Sequence, residues 1–146
     1  MERLLIPAVA AILLSTLLFA GALPDRRDEE GLAAATRTAL EAGDASALAR
    51  LFPRDRKIRA SLDRIADLDG FIGPGPLVEA LRRYLAGRSE VRFEGGADAS
   101  PESGTVRVRG LLSSRDGAGR RDQVRLMFAF ERLDGQWRAV EIRETG

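Results

Sequence analysis

The spacing of apolar residues changes at Gly87, and this change most constrains the fold. Before it, apolar residues recur at helical spacing, as in residues 76–87. After it, apolar and charged residues alternate, most clearly from Val124 to Phe130, and Asp134-Gly135 signals a hairpin. This order predicts an α+β fold in which N-terminal helices pack on one face of an antiparallel sheet of about four strands.

Three helices are expected ahead of the sheet. Strong helix formers fill residues 32–40, and Gly43 interrupts them. Asp44 is placed to cap a second, short helix that Pro53 closes, and Pro76 is placed to open the third.

Residues 57–71, KIRASLDRIADLDGF, fit two patterns. Their apolar residues have the spacing of a helix, yet Ile58, Ala60 and Leu62 also alternate as in a strand. Both interpretations stay open at this point. The composition of residues 95–104, GGADASPESG, predicts a loop.

The N-terminus carries an uncharged apolar run at residues 4–23, which as a helix of about 30 Å is long enough to span a bilayer. We interpret residues 1–24 as a signal peptide or an N-terminal membrane anchor, residues 25–31 as a linker, and residues 32–146 as a single domain. The expected location is periplasmic or extracellular. The domain is tethered to the membrane if the segment is retained and released if it is cleaved.

Two residue types are missing, and their absence excludes several chemistries. Without cysteine the chain has no disulfide and no thiolate nucleophile, and without histidine it lacks the commonest general base and zinc ligand. The net charge of +1 gives no indication of a nucleic-acid partner. The acidic cluster of Asp63, Asp67 and Asp69 lacks the spacing of a calcium loop. We therefore expect no cofactor and no metal.

Residues 39–52, ALEAGDASALARLF, show a helix, a Gly-Asp break and a short helix ending in Leu-Phe. A third helix, long hairpins and the final strand WRAVEIRE follow. In this order the chain resembles the nuclear transport factor 2-like (cystatin-like cone) superfamily over residues 32–143, and within it the small exported domains of unknown function. The resemblance implies a curved sheet around a helix, a conical pocket and frequent dimers. The enzymatic branches place Asp, His or Tyr in the cone, whereas here Tyr84 is the sole tyrosine and no acid is predicted to pair with it.

The alternation assigns two faces to the predicted sheet. Val106, Val124, Leu126, Val140 and Ile142 are expected to face the helices. A candidate ligand pocket is expected between this face and the helices, with three residues from the strands and three from the helical segments: Val108, Phe128 and Phe130, and Phe52, Leu81 and Tyr84. Apolar residues on the opposite face form a candidate interface for a homodimer or another protein partner, unless curvature or a bulge turns some of them inward: Leu111, Met127, Ala129, Trp137 and Ala139.

The function expected from these features is that of an exported, non-catalytic domain that binds a small apolar ligand or a protein partner. The alternative is an isomerase or hydrolyase in which Asp63 or Glu131 acts as the base and Tyr84 as the polarising group. A row of Arg107, Arg109 and Arg125 on one sheet face either holds an anionic ligand or forms an ordinary solvated surface.

Overall fold

The computed structural model describes residues 23–100 and 102–146. These residues form three helices packed on a curved, open sheet of six strands in the order β2-β1-β6-β5-β4-β3. Strand β1 runs parallel to β6, and the other neighbouring strands are antiparallel. The elements are α1 (Arg26–Ala42), α2 (Ala45–Ala49), β1 (Ile58–Leu62), β2 (Leu68–Ile72), α3 (Pro74–Ala86), β3 (Ser89–Ser100), β4 (Thr105–Arg115), β5 (Arg121–Leu133) and β6 (Gln136–Glu144).

Helix α1 begins earlier than the sequence analysis predicted. The Asp25 carboxylate accepts a hydrogen bond from the Asp28 N–H at 2.9 Å, and the Asp28 carboxylate accepts one from the Asp25 N–H at 3.1 Å. This capping box satisfies two backbone donors, and the acidic first turn complements the positive end of the helix dipole. Residues 26–31 are therefore helical, and the expected linker over residues 25–31 is wrong.

The predicted signal peptide or anchor lies outside the described residues, apart from its last two positions, 23 and 24. Within residues 23–100 and 102–146, no helix is both long and apolar enough to cross a bilayer.

The segment left open at residues 57–71 folds as the β1–β2 hairpin, which raises the strand number from the expected four to six. Its alternating residues Ile58, Ala60 and Leu62 are buried in the core. Strand β1 pairs through Arg59–Ser61 with the edge of β6. The strand pattern prevails over the helical one because β6 offers a free edge that β1 can join, a long-range pairing that local spacing does not report.

The predicted loop at residues 95–104 is wrong over its first six residues, which continue strand β3. Gly95 lies directly opposite Gly110 on β4. A Cβ on Gly95 would lie 2.1 Å from the Arg109 carbonyl oxygen, and one on Gly110 would lie 2.5 Å from the Phe93 ring. These glycines allow two strands and an aromatic ring to approach closely, so they do not mark a loop.

Strand β3 is an edge of the sheet, and α1 covers it with two acidic side chains. Glu41 accepts a hydrogen bond from the Phe93 N–H at 3.2 Å, and Glu29 accepts one from the Ala99 N–H at 3.2 Å. These contacts occupy two outward-facing donors of the edge, which reduces its tendency to pair with another chain.

A bulge changes the phase of β6 near its centre. Ala129 pairs with Glu141 but Phe130 pairs with Ala139, so Val140 is the extra residue. Ala139 is consequently buried in the core, whereas Val140, which we expected on the inner face, is not part of it.

Candidate functional site

The centre of the cone is occupied by aromatic side chains. The Phe128 ring centroid lies 6.5 Å from that of Phe52, 6.3 Å from that of Phe93 and 6.3 Å from that of Phe130. Five of the six residues predicted to line a ligand pocket are fully buried members of this core: Phe52, Leu81, Val108, Phe128 and Phe130. They lie together as expected, but they pack against one another, so a ligand there would have to displace core side chains.

Tyr84, the sixth predicted pocket residue, lies half-buried at the rim of the core and has an acidic partner that the sequence analysis missed. Its hydroxyl donates a hydrogen bond to Asp122 Oδ2 at 3.1 Å. The Arg88 Nη1 donates to the same oxygen at 3.1 Å and to Ser114 Oγ at 3.2 Å. The Arg88 guanidinium carbon also lies 3.8 Å from the Tyr84 ring centroid, in cation–π geometry.

Arg64 completes this group, which we call the tyrosine cluster (Arg64, Tyr84, Arg88, Ser114 and Asp122). Its Nη2 pairs with Asp122 Oδ1, and its Nη1 donates to the Gln123 carbonyl at 2.8 Å. The cluster thereby connects the β1–β2 turn, helix α3 and the β4–β5 hairpin. The signal that could have found Asp122 is the register of that hairpin, which pairs Asp122 with Ser114.

The electrostatics of the tyrosine cluster favour a structural role. Burial raises the pKa of Asp122, but the Tyr84 hydrogen bond and the charges of Arg64 and Arg88 together outweigh it and hold that pKa below the ordinary value. Burial, reinforced by the Asp122 charge and opposed by Arg88, raises the pKa of Tyr84. Tyr84 therefore keeps its proton, and its single O–H is already donated to Asp122.

The acids of the catalytic alternative do not reach Tyr84. Asp63 is exposed immediately after β1. Glu131 pairs with Arg138, one position beyond the inward-facing pair of Phe130 and Ala139, so it faces outward. The carboxylate at the Tyr84 hydroxyl is that of Asp122, which two arginines already bind. The catalytic set of Asp63 or Glu131 with Tyr84 is not assembled.

We expect Asp122→Asn to lower the free energy of unfolding at pH 7 by about 1–3 kcal/mol, because Arg88, whose side chain is 17% exposed, loses its counter-charge. The pKa of Asp122 is depressed in the folded state, so this stabilisation is present above the unfolded pKa of about 3.9 and is lost as the pH falls through the folded pKa. Urea denaturation from about pH 7 down to about pH 2 should show the free energies of unfolding of the wild type and the Asp122→Asn variant becoming equal in acid. Asp63→Asn, at an exposed carboxylate, is the control. If the variant and the wild type differed in stability as much in acid as at pH 7, the stabilising role assigned to the charged Asp122 carboxylate would be contradicted.

The outer face of the sheet differs from the expected apolar interface. Leu111 and Met127 lie on it as predicted, but Met127 is only 1% exposed. Its neighbours in register on the adjoining strands are Arg109 and Arg143. Arg107, Arg109 and Arg125 share this face, and Arg109 pairs with Asp98 at 3.4 Å. This part of the face is charged, and its central apolar residue is covered.

Trp137 does not lie on the outer face as expected, because the bulge at Val140 turns it toward the core. Arg132 lies over its ring with 5.4 Å between the guanidinium carbon and the ring centroid. The buried Trp137 Nε1 has no acceptor among the described residues.

Phe71, on the edge strand β2, is the exposed aromatic residue of the outer face within residues 23–100 and 102–146, and it is 71% exposed. In register it neighbours Arg59, which pairs with Glu141 of β6 at 3.7 Å. The sequence analysis did not single out Phe71, because β2 was not recognised as a strand.

No protein-family model and no curated protein matches the sequence. Solved structures match it in fold. An NTF-2 like protein of unknown function from Shewanella oneidensis MR-1 superposes with a TM-score of 0.59 at 13% identity, covering 80% of this chain and 94% of that one. DUF4783 family proteins from Bacteroides ovatus ATCC 8483 and Bacteroides fragilis YCH46 give TM-scores of 0.59 and 0.56 at 16% and 14% identity. They cover 76% and 75% of this chain and 91% and 92% of their own.

These identities are low, so the likeness concerns the fold and transfers no activity. It agrees with the helix order, the Gly-Asp break and the strand meander described above. The resemblance inferred from residues 39–52 and the later strands is thereby confirmed: the chain has the nuclear transport factor 2-like fold.

Proposed function

We propose that this chain is an exported, non-catalytic domain that binds another protein through edge strand β2 and its exposed residue Phe71. The observation that carries the proposal is the 71% exposure of a phenylalanine on an edge strand. Aromatic anchors are enriched among the residues that dominate the energy of protein interfaces.

The packing of the core favours a protein partner over a small apolar ligand in the cone. Phe52, Phe128 and Phe130 are each at most 1% exposed, so binding inside the cone would require the core to open. The tyrosine cluster, with both Asp122 and Tyr84 engaged, favours a non-catalytic role.

The position of β2 supports recognition of an extended segment. Strand β2 pairs with β1 on one side, and no described strand pairs with its other side. An edge of this kind can accept a further strand through main-chain hydrogen bonds, while an exposed side chain supplies specificity. At the opposite edge, by contrast, Glu29 and Glu41 already occupy two β3 amides.

Export rests on the uncharged run at residues 4–23. The described fold begins at the Asp25 cap, so residues 1–24 can be removed without cutting a described helix or strand. Fusing residues 1–24 to alkaline phosphatase, which is active only after export, should give an active reporter. An inactive fusion that accumulates in the cytoplasm would refute this part.

Site-specific photocrosslinking tests the binding surface. A benzoylphenylalanine at position 71, in the full chain in intact cells, should give a discrete crosslinked product. The same probe at exposed Glu102, in the β3–β4 turn, is the matched control. Mass spectrometry of the product separates a different partner from a second copy of this chain. Co-expressed wild-type protein without the probe should reduce the yield of this product by competing for the partner. Co-expressed Phe71→Asp protein, which lacks the apolar anchor, should leave the yield unchanged. The absence of a product at position 71, or the same product at position 102, would refute the proposal.

A further inference from the structure

A groove separate from β2 lies between helices α2 and α3, with a volume of about 690 Å³. Its apolar wall includes Ala49, Phe52, Pro53 and Val78. Phe52 connects this wall to the core through its contact with Phe128. The volume lies in the range of about 300–1,000 Å³ that is usual for small-molecule sites.

Three arginines, Arg50, Arg54 and Arg138, line the same groove. None of the ion pairs among the described residues involves any of them. The groove therefore combines an apolar wall with three guanidinium groups that have no carboxylate partner in the described part of the chain.

Arg138 is held in place by neutral acceptors. Its Nη1 donates to the Arg50 carbonyl at 3.1 Å and to the Trp137 carbonyl at 3.3 Å, and its Nη2 donates to Gln136 Oε1. A guanidinium has five N–H donors, so some remain for a ligand. A fixed guanidinium loses less conformational entropy on binding than a free one.

The acidic residue of the groove is already engaged. Glu79 accepts hydrogen bonds from Arg82 at 2.7 and 2.9 Å and from Arg83 at 3.1 Å. Because Arg82 and Arg83 already pair with Glu79, its negative charge does not neutralise the three arginines of the groove. The groove therefore carries a net positive charge, although the net charge of the whole chain is only +1.

We propose that the α2–α3 groove binds a small organic anion that has both a carboxylate and an apolar chain. The carboxylate pairs with Arg54 and Arg138, since guanidinium and carboxylate groups form paired, charge-assisted hydrogen bonds. The apolar chain lies against Ala45, Ala49 and Pro74, the apolar residues of the groove that remain accessible. This ligand class follows from the pairing of a cationic rim with an apolar wall, which neither a purely apolar compound nor a simple inorganic anion would fully use.

An NMR titration of the full chain tests this site, with octanoate as the probe and with acetate and 1-octanol as matched controls. The backbone amide NMR signals of Ala49, Gly75 and Val78 should shift as octanoate is added, and the shifts should reach a plateau. Acetate and 1-octanol should each bind at least about ten-fold more weakly, because each lacks one half of the recognised structure.

Variants then separate the groove from general surface charge. Ala49→Glu places a carboxylate in the groove at an exposed helix position and should abolish octanoate binding. Arg54→Gln should weaken it about five-fold or more, whereas Arg59→Gln, at an exposed arginine on the outer sheet face, should leave it unchanged. Equal binding of octanoate and 1-octanol, equal effects of the Arg54 and Arg59 variants, or no saturable shift at the groove would each overturn the proposal.

Discussion

Replacing Phe128 by alanine should lower the free energy of unfolding by about 3–5 kcal/mol, the usual cost of truncating a buried phenylalanine. The Phe128 side chain is fully buried and contacts the rings of Phe52, Phe93 and Phe130, which come from three different parts of the fold. Its removal leaves a cavity where the α1–α2 region meets the sheet. Small domains are stable by only about 5–15 kcal/mol, so the loss is a large fraction of the total.

The same substitution at Phe71 is the matched control. Phe71 also lies on a strand of this sheet but is 71% exposed, so Phe71→Ala should change the free energy of unfolding by less than about 0.5 kcal/mol. Urea denaturation followed by circular dichroism measures both. A small effect of Phe128→Ala would mean that the cone already contains space beside this ring. The candidate ligand pocket inside the cone would then regain support.

Replacing Gly95 by alanine should have the second-largest effect, a loss of about 3 kcal/mol, at the upper end of the usual cost of overpacking. The added Cβ would lie 2.1 Å from the Arg109 carbonyl oxygen and 2.6 Å from the Gly110 Cα. Both obstructing atoms belong to the backbone, so no side-chain rotation can relieve the contact. Strands β3 and β4 would have to separate locally.

Gly96 is the adjacent position and provides the control. A Cβ there meets no atom within 4 Å. Gly96→Ala should therefore leave the stability unchanged or raise it by up to about 1 kcal/mol, because alanine loses less conformational freedom than glycine on folding. Thermal unfolding of the two variants distinguishes close strand approach at Gly95 from a general intolerance of this strand to side chains. Equal destabilisation by both variants would contradict the assigned role of Gly95.

The elements that were predicted correctly are those whose signals are local. The Asp44 cap is present, with the Asp44 side chain accepting from the Ala47 N–H at 2.7 Å. The Asp134-Gly135 turn joins β5 to β6, with Asp134 and Gly135 both at positive φ. The alternation from Val124 to Phe130 gives strand β5. Each of these signals depends on residues within a few positions of one another.

The elements that were missed depend on contacts between distant parts of the chain. The β1–β2 hairpin was left open because its strand pattern is decided by β6, more than seventy residues later. Asp122 was not singled out in the sequence, although the fold brings it to the Tyr84 hydroxyl. Trp137 was assigned to the outer face by simple alternation. That assignment was wrong because one extra residue, Val140, reverses the phase of β6.

The sequence by itself therefore determined the α+β fold class, the three helices, the closing hairpin of β5 and β6, and the side chains available for chemistry. Helix caps, hairpin turns and alternation act within a few residues, and the absence of cysteine and histidine is a matter of composition. The strands that follow the change of spacing at Gly87 are β3–β6, and the tertiary structure decided that β1 and β2, from before Gly87, extend their sheet to six strands around an aromatic core. It also decided that Phe71 is exposed, that Met127 is buried and that Trp137 packs, partly buried, against the core. The physical reason is that strand pairing and burial depend on which edges and surfaces remain free once the whole chain has packed.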